Sequence, residues 1–584
     1  MKLFLFCLSV AVLAPFPAAD PLDELIPAYE AYVREASPDE AAREEGRSPA
    51  RWGDLRPESI AAEAEKARAL LADIEAAETD RDIDKAILIR LLQGDLMGAD
   101  FDTARIPFTG DWGFQAEPIF AALRMKVTNV ESGEAWAARL NDVPRYFAEN
   151  VENMRRGMAT GWTSHKDPLA TVTAQIREQI VDDPAESGFY APFLSLPDGM
   201  DADDAARLQA EGLAAAANAI QAYRDTLAFI ETEYAPAVRE GAGIAGLPGG
   251  KEMYAAAVEH YTAGAGYTPE EIHQLGVSEV ARIRGEMEAV IEDAGFDGSF
   301  EEFLTFLRTD PQFYAETPEE LMASAKEISA RLRAILPDYF GHLPVLGFGV
   351  EPVPAAIAPG YTTGRYMQGD PEEGREGTYL VNTYALDQRP LYELPALSAH
   401  EAVPGHHLQI ALAQEMRDQP RFRQEYYATA FGEGWGLYSE RIAGEAGIYR
   451  TPYERFGALS YEMWRACRLV ADTGLHWYGW SREEAEACFI ENSALAPLNI
   501  QTEVTRYIGW PGQAVAYKVG ELKIRELRGE AELALGDAFD LRAYHDTVLG
   551  EGAVPLDVLE RRISLWIESQ LEKESAGGAD PAPE

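Results

Sequence analysis

Positive charge is scarce in this chain. Against 98 Asp and Glu stand 51 Lys and Arg, a formal net charge of −47 at pH 7. A surface of that sign repels a duplex and an anionic membrane, so no nucleic-acid partner is expected and the acidity is read as serving solubility. Cysteine is scarcer still, with 3 in 584 residues. The chain has no C-x-x-C pair, which argues against a thiolate zinc site and a thioredoxin-like redox motif. There is no G-x-S-x-G element, which argues against a serine hydrolase of the α/β class, and no fixed-period repeat. The run Gly246 to Glu252 has Ala245 where a phosphate loop needs glycine and Glu252 where it needs Ser or Thr. Beyond the N-terminus no apolar stretch reaches about 20 residues, the length that spans a bilayer.

The first segment present is a leader. Lys2 precedes the apolar run Leu3 to Ala14, and Pro17-Ala18-Ala19 puts small residues before Asp20. Residues 1–19 therefore read as a secretory signal peptide, with a periplasmic or secreted protein expected and no membrane partner after its removal. Bulky Phe6 argues against lipid attachment at Cys7. Cys467 and Cys488 then remain; an oxidising compartment permits them to pair, and two residues alone do not require it.

Hydrophobic content of 47%, with 10 Trp, 26 Tyr and 23 Phe, supplies a substantial core. Most of the chain has helical rhythm. Pro57-Glu58-Ser59 leads into an Ala-rich amphipathic run, Ala205 to Thr232 reads alike, and Thr268-Pro269-Glu270-Glu271 is a helix start with cap, proline and acid in order. That helix is expected to end near Asp293. From Leu346 the texture turns to Gly, Pro and aromatics, and Gly377 to Thr383 reads as a strand. Helical rhythm returns at Leu394. The expected fold is mainly α and two-lobed, with a small β-sheet before the histidine segment. Its divisions are a helical N-terminal lobe over 20–345, a metal-binding catalytic lobe over 346–574, and a disordered tail over 575–584.

His400-Glu401-Ala402-Val403-Pro404-Gly405-His406-His407 gathers three of the 9 histidines beside a carboxylate. This composition suits a divalent metal and a general base, the two parts that activate water. A regular helix would place a partner for His400 one turn on, where Pro404 stands instead. Proline lacks an N–H and crowds the carbonyl of His400, so a kink or bulge is expected there. If Pro404-Gly405 act as a two-residue insertion, His406 returns to the one-turn relation with His400. His406 is favoured, with His407 as the alternative. Glu433, flanked by Gly432 and Gly434, is the candidate third ligand, because glycines let a second helix approach closely. Glu440 lies two turns further and can orient a histidine.

Ser398 to Gln409 resembles the H-E-x-x-P-G-H-H-x-Q segment of the domain-of-unknown-function family 885, a bacterial family grouped with the gluzincin-like metallopeptidases of the peptidase MA clan. Similarity continues in Glu433 to Tyr438, Arg468 to His476 and Tyr507 to Ala514, and spans roughly Leu247 to Leu556. The resemblance implies a largely helical, zincin-like fold with zinc as cofactor in a deep cleft, and it supplies no substrate.

The parts suggest a mechanism. Glu401 would take a proton from water and pass it to a leaving amine. An oxyanion would need a donor, for which Tyr507 and His476 rank ahead of Tyr517 and His545. Arg468 is a candidate for a bidentate pair with a substrate carboxylate. The strand around Tyr379 to Thr383 would align an extended peptide by edge pairing, with Asn382 as a polar contact. The expectation is a zinc hydrolase acting on short peptides. A zinc amidohydrolase of a non-peptide amide and a non-catalytic metal- or peptide-binding protein are the alternatives.

Overall fold

Local signals become helix where the sequence placed them. Thr268 accepts from the Glu271 N–H while the Glu271 carboxylate takes the Thr268 N–H, so both ends of a capping box are made. The helix they start, α1, runs Pro269–Asp293 as expected. The Ala-rich segments form Pro57–Ala76 and Ala202–Phe229. The computed structural model describes residues 20–577 except 111, 356–357, 359–360 and 372, so the signal-peptide segment lies outside it. The final helix, Leu556–Gly577, takes in the first residues of the expected tail; the rest lie outside the described residues.

The protein is mainly α with one small sheet. Strands β1 (Phe348–Pro352), β2 (Gly364–Met367) and β3 (Gly377–Val381) lie in the order β1-β3-β2. β3 pairs in parallel with β1 and antiparallel with β2, bringing Tyr366 and Val350 to either side of Tyr379. This corrects the expected edge pairing at Tyr379 to Thr383. β3 is the central strand, and its N–H and C=O groups are consumed by its neighbours on both sides. Free edges belong to β1 and β2.

The helices that build the site follow in order: α2 (Leu394–Glu401), α3 (His406–Gln414), α4 (Thr429–Glu445), α5 (Pro452–Thr473), α6 (Pro497–Gly509) and α7 (Ala516–Leu535). α4 crosses α7 at a glycine contact. A Cβ on Gly434 would come 2.6 Å from the Gly520 Cα, and one on Gly520 would come 1.8 Å from the Ala430 carbonyl oxygen. One of the glycines beside Glu433 is thus the point of close helix approach anticipated in the sequence. Cys467 of α5 and Cys488 of the next helix form a disulfide.

Among the described residues the apolar cores draw on distant parts of the chain, and one of them joins Leu22 to Leu96 with Phe422. Another draws on Trp52 to Tyr234 alone, around Trp136, Phe147 and Tyr223. The core beneath the site draws on residues from Ile244 to Ile563 and includes Tyr254, Leu332, Tyr379 and Trp435. The change of sequence texture at Leu346 marks the entry of the sheet, which packs on helices from both sides of that point.

Candidate metal centre

His400 is the penultimate residue of α2, and α3 begins at His406, so the chain between them leaves the helix entirely. The Gly405 N–H donates to the Ala399 carbonyl at 3.0 Å and the His407 N–H to that of Ala402 at 3.0 Å. These bonds span six and five residues where a helix spans four, which is the insertion expected at Pro404-Gly405. The Val403–Pro404 bond is cis. A Cβ on Gly405 would lie 1.9 Å from the His400 carbonyl oxygen, so the turn requires glycine. Trp435 of α4 donates its indole N–H to the Pro404 carbonyl at 2.8 Å and fastens the turn to the helix carrying Glu433.

The result brings three side chains together. The Glu433 Oε2 lies 3.4 Å from His400 Nε2 and 3.5 Å from His406 Nε2. All three ligand atoms fall within 4.8 Å of one another. Bonds of about 2.1 Å to a tetrahedral zinc put neighbouring ligand atoms about 3.4 Å apart, so the two measured edges fit such an ion. The donor set of two imidazoles and one carboxylate suits zinc with a position left over. Gly436 makes room for it, because a Cβ there would come 2.6 Å from the His400 ring.

His400 Nδ1 lies 2.9 Å from Glu440 Oε1, which also lies 3.4 Å from the Arg465 guanidinium. Such a carboxylate fixes the ring and its tautomer with Nε2 aimed at the cluster. Burial works against the charged imidazole, but the bonds to Glu433 and Glu440 outweigh it and hold His400 up at about 9. Burial likewise opposes the Glu433 charge, and the two histidines still keep its carboxyl well below the usual range. His406 Nδ1 is buried without a partner.

Glu401, next to His400, accepts the Tyr366 N–H of β2 at 2.8 Å. The sheet therefore serves to hold this carboxylate. His407 turns away from the cluster: its Nδ1 meets the Tyr366 hydroxyl at 3.0 Å and its ring packs on Phe348. Burial pushes His407 down to about 4.

Other candidates stand apart from these atoms. Both nitrogens of His476 are occupied by backbone, Nε2 with the Tyr507 carbonyl at 2.9 Å and Nδ1 with the Ile244 N–H at 3.3 Å, and the residue is wholly buried. The Tyr507 hydroxyl receives Arg468 Nε and Trp464 Nε1 and donates to Glu503. His545 is likewise taken, by the Tyr438 hydroxyl and the Tyr339 carbonyl. Asn382 donates to the carbonyls of Ala358, Tyr361 and Thr362, so it pins the loop before β2 and has no amide N–H left over. Arg468 spends Nε and Nη2 inside the protein, which rules out a bidentate grip through that edge.

Sequence reading missed Tyr427. Its hydroxyl lies 3.4 Å from Glu433 Oε1, and the side chain remains 46% exposed beside the cluster. Gly432 exists for it, since a Cβ there would come 2.4 Å from the ring. The available signal was an aromatic pair, Tyr426-Tyr427, immediately before the Glu433 helix.

Fold and cluster together describe a mainly helical protein with a buried His-His-Glu site and a further carboxylate beside it. The chain belongs to the family described as "Bacterial protein of unknown function (DUF885)", whose model matches residues 40–563. It is similar to a solved structure described as "the putative lipoprotein from Colwellia psychrerythraea", at 27% identity and a TM-score of 0.85, over 94% of this chain and 100% of that one. A second, "a putative lipoprotein of unknown function from Shewanella oneidensis", shares the fold at 15% identity and a TM-score of 0.73, over 93% and 97%. No curated protein matches.

Proposed function

We propose that this protein is a zinc-dependent hydrolase of amide bonds, in the manner of the gluzincin-like metallopeptidases, acting on short peptides. The observation carrying this reading is the convergence of His400, His406 and Glu433 next to Glu401, a carboxylate whose hydrogen bond among the described residues is to the Tyr366 N–H. A site for binding alone has no need of that second carboxylate.

His400, His406 and Glu433 would hold the ion, and Glu440 would keep the His400 ring aligned. A zinc ion bound there supplies Lewis acidity, lowering the pKa of water and polarising a carbonyl. Glu401, steadied by the Tyr366 N–H, takes the proton of the attacking water and returns it to the departing nitrogen. Tyr427, half-exposed and with its hydroxyl beside Glu433, is assigned the developing oxyanion, in place of Tyr507 and His476, whose polar atoms are spent elsewhere. A non-peptide amide would use the same groups.

An extracytoplasmic location accords with the lipoprotein descriptions of the two similar structures and with the Cys467–Cys488 disulfide. Among the described residues no helix is long and apolar enough to cross a membrane.

Digestion of a broad peptide library by zinc-loaded wild type and Glu401→Gln tests the reading. The expected outcome is cleavage by wild type and a loss of about 100-fold or more in the variant, with zinc content unchanged. Zinc without cleavage, or equal cleavage by both proteins, would overturn it.

A further inference from the structure

A second polar cluster lies behind Glu433, and its charges do not balance. Arg468 of α5 is 4% exposed. Its Nη2 donates to Glu503 Oε2 at 3.1 Å, and Arg506 donates to that same oxygen at 3.0 Å. The Tyr507 hydroxyl also donates to it, at 2.8 Å. Two guanidiniums thus share one carboxylate, leaving an excess positive charge in the interior. Arg468 Nη1 is buried and has no partner. A buried charged N–H left in that state is destabilising, and an anion would satisfy it.

Tyr517 joins this cluster to the metal centre. The Arg468 guanidinium lies 4.3 Å from the Tyr517 ring centre and 4.6 Å from that of Trp464. Tyr517 stands on α7 one turn before Gly520, whose backbone abuts Gly434 next to Glu433. Gln513 is held in the same cluster by Arg506 at 2.6 Å.

We propose that Arg468 Nη1 and the Tyr517 hydroxyl receive the free carboxylate of the substrate, so that the preferred substrates are short peptides with a free C-terminus. This rests on the hydrolase reading above. The Tyr517 ring lies 4.3 Å from the guanidinium, so entry of the carboxylate requires that ring to swing aside. Substrates blocked as C-terminal amides lose the charge-assisted bond that Nη1 provides.

The test is calorimetric titration of zinc-loaded protein with alanyl-alanine and with its C-terminal amide. Glu401→Gln is present throughout so that the peptide is not consumed. The free acid is expected to bind at least about 10-fold more tightly than the amide. In Arg468→Met that preference falls below about two-fold while zinc remains stoichiometric, and Arg468→Lys recovers part of it. Equal binding of acid and amide, no binding of either, or a preference that survives Arg468→Met would overturn the proposal. If Arg468→Met does not fold, Tyr517→Phe serves instead: a reduced acid preference supports the proposal and an unchanged one overturns it. Peptide hydrolysis by wild type without an acid preference removes this inference alone, whereas an acid preference without hydrolysis of any library peptide removes the hydrolase and leaves the carboxylate site.

Discussion

Lys518 sits fully buried on α7 between Glu279 at 3.1 Å, Glu462 at 2.7 Å and Glu521 at 2.8 Å. Arg282 and Arg525 complete the group through the same carboxylates, and Arg282 also reaches Glu286 at 2.6 Å, so each charge in it faces an opposite one. The cluster of His400, His406 and Glu433 is buried to a similar degree but is put together differently. Its carboxylate lies 3.4 and 3.5 Å from the two imidazoles, edges that also fit an ion, and His406 keeps an unpartnered nitrogen. Burial works against the charge of Lys518, and Glu521, Glu462 and Glu279 together outweigh it. What separates a structural ion network from a candidate site is thus balance, not burial: the first is closed on itself, the second is short of a cation, and the Arg468 group is short of an anion.

Breaking the closed network should cost stability and nothing else. Lys518→Met leaves buried carboxylates without their shared cation and is expected to lower unfolding free energy by about 3–5 kcal/mol, read by denaturant melts. The folded fraction should retain zinc in full. Zinc lost in proportion beyond unfolding would mean that the two clusters are not separate.

Glu440→Gln sharpens the contrast from the other side. It keeps an acceptor near His400 Nδ1 but removes the charge that orients the ring, so zinc affinity of the folded protein should fall about 10- to 100-fold, with a lower melting temperature because buried Arg465 loses its carboxylate. Competition with a chromogenic chelator measures it, and unchanged affinity would place Glu440 outside the metal site.

A buried acid that belongs to neither cluster gives the smallest effect. Asp472 accepts the Tyr254 hydroxyl at 2.7 Å and the Gly512 N–H at 3.0 Å through one oxygen, while the other has no partner. Burial pushes its carboxyl up to about 7. The folded state then holds a proton that the unfolded chain has already lost above about pH 4, so this residue's contribution to stability falls as pH rises from about 4 to 7. Asp472→Asn should flatten the fall in that window, by on the order of 2 kcal/mol, in melts at pH 5 and pH 8. An unaltered pH dependence would show that the acid is charged when folded.

How much of this was legible in the sequence follows from how local each signal is. His400-Glu401 and the glycine-flanked Glu433 carry their chemistry in adjacent residues, and the structure brings the histidine and Glu433 together. Pro404 announced a departure from the helix, though not that the chain would end one helix and begin another at His406. Partners far along the chain were not legible. Tyr507 is bonded to Glu503 and Arg468, His476 to Ile244, and Asn382 to a loop, and each reads in isolation as a free polar group. The central place of β3 depends on the parallel return of β1, which no periodicity encodes. The mainly helical class was legible because caps and amphipathic runs are short-range, whereas the grouping of residues into cores, such as Phe422 with Leu22 to Leu96, depends on tertiary packing.

Zinc content separates the two adjacent histidines directly. Wild type, His406→Ala and His407→Ala, each purified, loaded with zinc and desalted, would be assayed by plasma mass spectrometry with circular dichroism as the folding check. The account predicts one zinc per chain in wild type and in His407→Ala, and loss of stoichiometric zinc in folded His406→Ala. Zinc lost from His407→Ala but kept by His406→Ala, or none bound by wild type, would contradict it.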